Sequence, residues 1–320
     1  MRPEDDDETM RLRLALGRLG RRLPLLRGIA ARREEARGAP QFVPPGHFYS
    51  PIPALEDVRR DHARVFREPG RTLPGIELNE RRQLELLAGF KPYYAELCFP
   101  EEKVVGQRYF YNNNFYSYCD AIFLYFMLRH LRPRRVVEVG SGYSSCVTLD
   151  TNDQFLGGDV QCTFIEPYPE RLLSLLDPGD ASRIEIVRER LQDVSLDRFL
   201  ELQAGDILFI DSTHVAKIGS DVNHIFSEIL PTLAPGVHVH FHDVFYPFEY
   251  PSTWIYGGRA WSEAYVLRAF LSYNREFEIV LFNTFLEHFH SDIFAAEFPL
   301  CLRNEGGSIW IRRSGATGAS

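Results

Sequence analysis

Short apolar runs alternate with segments of helical pattern from about residue 106 onward. Strands that alternate with helices indicate a parallel sheet with right-handed crossovers. Two further apolar runs, Phe277–Asn283 and Ser308–Arg312, have no convincing helix between them and are expected to pair antiparallel. The predicted strands of the alternating part are Arg135–Val139, Val160–Glu166, Arg183–Arg188, Asp206–Asp211 and Val237–His242.

Helical patterns lie between these strands and on either side of them. They are 9 to 17 residues long, close to the usual length of a crossover helix. The chain therefore has the alternation of an α/β protein. The predicted helices are Tyr116–His130, Tyr143–Asn152, Tyr168–Leu176, Val194–Gln203, Asp221–Leu233 and Gly258–Asn274.

The chain before residue 106 is of a different kind. Residues 10–37 hold nine arginines and two glutamates, a net charge of +7, with leucines at helical spacing. Such a basic amphipathic helix is either a solvated or self-docked arm, or a contact to an anionic membrane surface or a partner protein. Prolines and glycines over residues 38–54 indicate an extended connector. The predicted domains are a basic arm at 1–40, a cap or connector region at 41–105, the main domain at 106–313 and a disordered tail at 314–320.

Composition narrows the class of protein. Hydrophobic residues make up 45% and charged residues 25%, the balance of a folded chain with a sizeable core. The formal net charge of −8 disfavours nucleic-acid binding, and no apolar run is long enough for a membrane span. Five scattered cysteines without a CxxC pair, and an acidic amino terminus, predict a cytoplasmic location. The oligomeric state is not specified.

The most informative motif is the glycine-rich turn Gly140-Ser141-Gly142 after the first strand. Glycines there let the backbone approach a ligand, and the next helix presents free N–H groups. Glu166, at the end of the second strand, can accept both ribose hydroxyls of a nucleoside cofactor. Ser145 stands where a dinucleotide turn has its third glycine, which disfavours NAD without excluding it. Glu138 suits an ammonium group, and the hydroxyls of Ser144 and Ser145 suit a carboxylate; S-adenosylmethionine has both.

Glu-Val-Gly-Ser-Gly followed by Phe-Ile-Glu-Pro resembles the class I S-adenosylmethionine-dependent methyltransferases, over roughly residues 106–313. Gly-Tyr-Ser at 142–144 is similar to the turn of the catechol O-methyltransferase-like branch. The resemblance implies a Rossmann-like, seven-stranded, mostly parallel sheet with one antiparallel strand, helices on both faces and an N-terminal helical and extended appendage. It implies that Gln192 and Asp193 lie by the adenine, although Asp193 is equally explained as a helix cap. The expected cofactor-binding residues are Glu138, Gly140, Ser141, Gly142, Ser144, Ser145, Glu166, Gln192, Asp193 and Asp211.

Acidic and histidine residues follow the fourth and fifth strands, whose carboxyl ends share one rim of the sheet. In the metal-dependent O-methyltransferases that the sequence resembles, these positions hold an Asp and then an Asp–Asn or Asp–Asp pair. The resemblance implies that Asp211, His242 and Asp243 bind a divalent metal; with His242 in place of an acid, Mg, Mn or Fe are the candidates. It also implies His214 as general base, so that His214, Asp211 and Asp243 are the catalytic residues. The alternatives are that the two aspartates orient substrate or cap turns, and that His214 orders a loop.

His238 and His240 alternate with His242 and therefore share its face of the strand. Successive residues on one face are about 7 Å apart, too far for all three rings to bind one ion. His238 and His240 are expected to be buried and hydrogen-bonded, which leaves His242 as the candidate ligand.

These observations predict an S-adenosylmethionine-dependent methyltransferase that acts on a hydroxyl of a small molecule, a sugar or a specialised metabolite, with the help of a divalent metal. The alternatives are a metal-independent N-methyltransferase and a non-catalytic protein that binds the cofactor and a partner. An aromatic-rich loop at 245–258 is expected to cover the reacting centre. His47, Tyr49, Asn113 and Tyr116 are expected to face it.

Overall fold

A computed structural model describes residues 42–315 of the chain. They divide into two compact units at Asp61. The first unit contains helix α1 (Leu55–Arg60), together with His47 and Tyr49. The second unit contains all the other elements. The basic arm predicted at 1–40, with its membrane or partner contact, lies outside the described residues, as does most of the predicted tail. No helix in the described part is both long and apolar enough to cross a membrane.

A seven-stranded sheet in the order β3-β2-β1-β4-β5-β7-β6 forms the centre of the second unit. Strand β7 runs antiparallel to both of its neighbours, and the pairs among β1 to β5 are parallel. The predicted sheet with one antiparallel strand is therefore confirmed. The strands are β1 (Arg135–Val139), β2 (Gln161–Ile165), β3 (Glu185–Val187), β4 (Ile207–Ile210), β5 (His238–His242), β6 (Phe277–Phe282) and β7 (Ser308–Arg313).

Helices surround this sheet, and residues 62–105 belong to the same compact unit. Gln83 ties this segment to the sheet, because its side-chain oxygen accepts a 2.7 Å bond from the N–H of Phe282. The helices are α2 (His62–Val65), α3 (Glu80–Gly89), α4 (Lys91–Ala95), α5 (Tyr118–Leu131), α6 (Tyr143–Phe155), α7 (Glu170–Leu175), α8 (Asp197–Leu200), α9 (Asp221–His224), α10 (Leu230–Thr232), α11 (Ser252–Tyr256), α12 (Glu263–Leu271), α13 (Asn283–Phe289) and α14 (Ser291–Glu297).

Two of the helix predictions need correction. The segment between β6 and β7 was expected to have no helix, but it contains α13 and α14. Each helix has a fully buried phenylalanine, Phe285 in the first and Phe294 in the second, so tertiary packing stabilises these short helices. The single helix predicted at Asp221–Leu233 contains a π-helical turn at Ile225–Ile229. Pro231 follows that turn and has no N–H, so it cannot continue a regular helical ladder.

A buried ion-pair network fixes the segment that leads into α5. The Arg108 side chain, 7% exposed, lies 2.8 Å from an oxygen of Asp150 and 2.5 Å from an oxygen of Asp180. A buried guanidinium is stable only when its donors are paired in this way. The network therefore anchors residues 108–117, which carry Phe115 and Tyr116 to the carboxyl edge of the sheet.

Candidate active site

The acidic residues after β4 and β5 lie together because these strands are neighbours, with Ile210 opposite Phe241. Asp211 directly follows β4, and Asp243 directly follows β5. Together with His214 they form a group in which one ligand atom from each residue lies within 4.8 Å of the others. We call Asp211, His214 and Asp243 the carboxylate–histidine cluster.

His214 is the centre of this cluster. Its Nε2 atom lies 3.1 Å from Oδ1 of Asp211 and 3.6 Å from Oδ2 of Asp243. Its Nδ1 atom lies 2.9 Å from Oε2 of the fully buried Glu263. The other oxygen of Glu263 accepts a 2.8 Å bond from the Ser212 hydroxyl. Glu263 therefore holds the imidazole so that Nε2 faces the two aspartates.

Two members of the cluster have a left-handed backbone, with φ of 59° at His214 and 57° at Asp243. Non-glycine residues adopt this conformation at an energetic cost, and such residues concentrate at functional sites. The surrounding chain supports the loop, because the carbonyl of His214 accepts bonds from the N–H groups of Ser262 and Glu263 at 2.9 and 3.1 Å. The loop therefore presents its side chains from a fixed backbone.

The electrostatics of the cluster favour a cation. Burial opposes protonation of His214, but its bonds to Asp211 and Glu263 raise the pKa of the imidazole to about 10. Burial also opposes ionisation of Asp211, yet the bond from His214 holds the pKa of that carboxyl below its usual value. Two carboxylates and one imidazole are a donor set that manganese, iron and magnesium sites use. The residues present therefore fit a divalent metal.

His242, predicted as a metal ligand, lies beside this cluster but is not one of its three members. Its Nε2 atom is 3.6 Å from Oδ1 of Asp243, and its ring lies 5.1 Å from that of Tyr116. Its buried Nδ1 has no partner among the described residues. Burial opposes protonation of His242, but the neighbouring carboxylates, Asp243 first, raise its pKa. The geometry thus favours His214 over His242 as the third ligand. The general-base role of His214 stays a prediction, and a metal bound at Nε2 would occupy the atom that has to accept the proton.

The other two histidines of β5 are buried, as expected. The hydrogen bonds expected for His240 are not found, because neither of its ring nitrogens has a partner in the described part of the chain. Its neighbours are rings: His240 stacks on Phe209 at 4.1 Å and meets Trp310 at 4.7 Å. Burial holds the pKa of His240 well below its usual value, so this ring is a neutral part of the core.

A cavity of about 480 Å³ lies at the ends of β1, β2 and β4, and we call it the Glu166 cavity. Gly140, Glu166, Gln192 and Asp211 line it. Gly140 has a φ of 79°, and a Cβ atom there would collide with the backbone oxygen of Asp211. Glu166 accepts a 2.8 Å bond from the N–H of Tyr168, which orients its carboxylate. The cavity and its acidic residue suit the nucleoside part of a cofactor.

The remaining residues predicted to bind the cofactor are held differently. Glu138 is fully buried, and its Oε1 atom accepts bonds from the hydroxyls of Ser144 and Ser145 at 2.6 and 2.8 Å. The Ser145 oxygen also accepts a 3.0 Å bond from the N–H of Gly142, and the buried Ser141 hydroxyl has no partner among the described residues. The hydroxyls of Ser144 and Ser145 therefore act inside the turn.

Asp193, predicted to lie near the adenine, is exposed and pairs with Arg190 at 2.8 Å. It is not among the residues that line the Glu166 cavity. Gln192, its neighbour, lines that cavity and donates a 2.8 Å bond to the carbonyl of Gly219. Of the two residues predicted for the adenine, the structure thus brings only Gln192 to the cavity.

A second cavity, of about 360 Å³, lies at the end of β5, and we call it the Asp120 cavity. The aromatic loop predicted at 245–258 supplies Phe245 and Trp254 to its wall. Asn113 also lines it, but the polar atoms of Asn113 bond to the backbone of its own loop. Asp211 lines the first cavity and Asp243 the second, so the carboxylate–histidine cluster lies between them.

Sequence reasoning missed Glu263 and Trp261, whose ring lies 4.3 Å from that of His214. Both belong to the segment that was predicted only as a helix. An acidic residue in the first turn of a helix is usually explained by the helix dipole. No local signal therefore separated Glu263 from an ordinary helix start.

A family model described as a methyltransferase domain matches residues 137–244, from β1 to the end of β5 and through all three residues of the cluster. The chain belongs to the class I S-adenosylmethionine-dependent methyltransferases. An uncharacterized protein of Archaeoglobus fulgidus is 36% identical to this methyltransferase over 186 residues, which cover 57% of this chain and 81% of that protein.

Two solved structures with a similar fold share little sequence identity with this chain. The SAH-bound methyltransferase PaMTH1 of Podospora anserina is 13% identical, with 87% of this chain and 100% of that chain covered and a TM-score of 0.43. The O-methyltransferase TomG of Streptomyces achromogenes, in complex with SAM, is 16% identical, with 81% and 96% covered and a TM-score of 0.40. At this level of similarity, neither the substrate nor the metal of this methyltransferase is inferred from those two proteins.

Proposed function

We propose that this methyltransferase transfers a methyl group to a hydroxyl of a small molecule, a sugar or a specialised metabolite, with a divalent metal held by Asp211, His214 and Asp243. The observation that carries the proposal is the group of three ligand atoms within 4.8 Å of one another, supported from behind by Glu263. A ligating histidine commonly gives its other nitrogen to a carboxylate in this way. The imidazole shifts the preference from magnesium toward manganese or iron.

In this proposal the Glu166 cavity would bind the cofactor and the Asp120 cavity would bind the methyl acceptor. S-adenosylmethionine supplies the methyl group when bound, and Glu166 and Gly140 would hold its nucleoside end in the Glu166 cavity. A divalent metal at the cluster would lower the pKa of the acceptor hydroxyl. Phe245 and Trp254 would exclude water from the acceptor in the Asp120 cavity. His242 has a titratable ring in the wall of that cavity, and we propose that this ring accepts the proton that the acceptor hydroxyl loses.

Calorimetric titration of the metal-stripped, full-length chain tests the ligands first. SAM and S-adenosylhomocysteine are expected to bind at micromolar concentration, and NAD is not. Added Mg²⁺, Mn²⁺ or Fe²⁺ is expected to give a separate isotherm that Asp243→Asn abolishes. Asparagine tolerates the left-handed backbone at this position, so that change removes the charge and one ligand oxygen without straining the backbone. The matched control is Asp193→Asn, an exposed aspartate outside both cavities.

Methyl transfer from labelled SAM to a panel of hydroxylated acceptors tests the reaction. A chelator is expected to stop transfer and the returned metal to restore it, and Asp243→Asn is expected to lower turnover at least about 100-fold, the loss typical of one catalytic group. Transfer that continues in the chelator would contradict the metal role. Transfer to amines in the chelated protein would identify the metal-independent N-methyltransferase instead.

A further inference from the structure

The Asp120 cavity has an unusual balance of charge for a pocket that would hold a small molecule. Among the described residues, three carboxylates line it, those of Asp120, Asp243 and Glu305, and no lysine or arginine does. Two arginines lie nearby, but each stacks on a ring: Arg171 lies 3.8 Å from the Phe115 ring centroid and Arg259 lies 4.7 Å from that of Trp254. Neither belongs to the lining.

Asp120 is the buried member of these three, with 6% of its surface exposed. Its Oδ1 atom accepts bonds from the N–H of Gly307 at 3.0 Å and from the side-chain amide of Asn283 at 3.3 Å. Its Oδ2 atom has no hydrogen-bond partner in the described part of the chain, although the residue lines the cavity. One oxygen thus fixes the carboxylate, and the other is left for a ligand.

A metal at the cluster would not balance this charge. Its ligands would be Asp211, His214 and Asp243, and Asp120 and Glu305 would stay outside that group. His242 is the other titratable residue of the wall among the described residues, and the base role proposed for it requires a neutral ring before transfer. Burial raises the pKa of Asp120. Burial also raises the pKa of the nearby Glu287 to about 7, with Glu305 and Asp120 adding to the effect. A neutral hydroxyl would give Asp120 a hydrogen bond but no compensating charge, whereas a protonated amine gives both.

We propose that the acceptor carries a protonated amine, separate from the hydroxyl that is methylated, and that this amine pairs with the free oxygen of Asp120. The aromatic side chains of Phe115, Phe245 and Trp254 would pack against the ring or apolar body of the same molecule. Glu305, which is exposed, would add a weaker attraction at the mouth. This inference rests on the proposed function, because it takes the Asp120 cavity as the acceptor site.

The test uses three phenols whose side chains begin with the same two methylenes and end in a different charge: tyramine, 4-propylphenol and 3-(4-hydroxyphenyl)propanoate. Their dissociation constants are measured with the full-length protein, Mn²⁺ and S-adenosylhomocysteine present. Tyramine is expected to bind at least about tenfold more tightly than 4-propylphenol, the usual effect of one charge-assisted bond, and the carboxylate is expected to bind most weakly. Equal affinities, or no binding of any of the three, would overturn the proposal.

Asp120→Asn is expected to reduce the affinity for tyramine to that for 4-propylphenol, while Asp193→Asn retains the preference. Affinity for S-adenosylhomocysteine is expected to stay the same, and a loss there would assign the carboxylate to the cofactor and overturn the proposal. Since Asp120 also holds Gly307 and Asn283, Glu305→Gln is a second variant that spares the fold; it is expected to reduce the preference about two- to threefold. A preference unchanged in both variants contradicts the proposal.

Methyl transfer to the same phenols separates this inference from the proposed function. Equal rates of methyl transfer to tyramine and to 4-propylphenol would agree with the proposed O-methylation but would contradict an amine-binding role for Asp120. A charge preference in binding without transfer to any hydroxylated acceptor would overturn O-methylation and retain the amine site.

Discussion

Glu263 and His214 form a buried hydrogen bond, 2.9 Å between Oε2 and Nδ1, across 49 residues of sequence. The two side chains are 1% and 6% exposed, respectively. Because Nδ1 is engaged by the carboxylate, only Nε2 is left for a proton or a metal. The pair therefore decides which face of the imidazole meets Asp211 and Asp243.

Glu263→Gln tests this pair. The amide keeps the shape but loses the charge that favours a protonated Nδ1, so the affinity for Mn²⁺ is expected to fall about 10- to 100-fold. Affinity for SAM is expected to remain unchanged, because Glu263 does not line the Glu166 cavity. Calorimetry of both ligands is the measurement, with Glu228→Gln at an exposed site as control. Wild-type metal affinity in a folded Glu263→Gln protein would disprove the positioning role.

Gly140→Ala is expected to destabilise the protein and abolish SAM binding. The residue needs a left-handed backbone, and a Cβ would collide with the Asp211 carbonyl at the junction of β1 and β4. Gly106→Ala is the matched control, because Gly106 has a φ of 83° and no atom near the added Cβ. Both variants lose about 1–2 kcal/mol to backbone strain, and only Gly140→Ala loses more. Denaturant unfolding gives these free energies; equal losses would show that the collision is relieved elsewhere.

Glu166 and Asp193 were both predicted to bind the cofactor, and their positions now separate them. Glu166 lines its cavity, whereas Asp193 does not line it and pairs with Arg190, a residue of the wall. Glu166→Ala is expected to weaken SAM about 10- to 100-fold, the effect of losing hydrogen bonds to a charged group. Asp193→Ala is expected to leave the dissociation constant within about twofold. Equal loss of SAM affinity in the two variants would contradict this assignment.

Glu138 predicts a pH dependence of stability. Burial raises its pKa from 4.5 to about 8 in the folded protein. Between these values the folded state holds a proton that the unfolded state has lost, so the free energy of unfolding falls as the pH rises from about 5 to 8. Glu138→Gln carries no such proton.

Its stability relative to the wild type is therefore expected to increase over this range, with a slope of at most about 1.4 kcal/mol per pH unit. Denaturant unfolding of metal-free protein at pH 5, 6, 7 and 8 measures the difference, and Glu228→Gln should show none. A difference that stays constant with pH would mean that Glu138 is ionised in the folded protein.

Much of the fold could be predicted because its signals are local. The first strand, Arg135–Val139, was predicted to the residue, since an apolar run bounded by charged residues and a glycine turn has one interpretation. Helices α13 and α14 were not predicted, because their rings become apolar faces only when the sheet is there to bury them. The π-helical turn before Pro231 likewise depends on how the helical hydrogen bonds rearrange where proline lacks an N–H donor.

The sequence by itself determined the methyltransferase fold, the glycine turn and the aspartates at the ends of β4 and β5. These follow from strand length, alternation and the rule that parallel strands share one carboxyl edge. Tertiary structure alone decided that His214 faces both aspartates, that Glu263 supports it and that Asp120 has one oxygen without a hydrogen-bond partner among the described residues. Each of these is a hydrogen-bond choice between segments far apart in the chain, and a side chain's partner is set by packing, which leaves no periodic trace in the sequence.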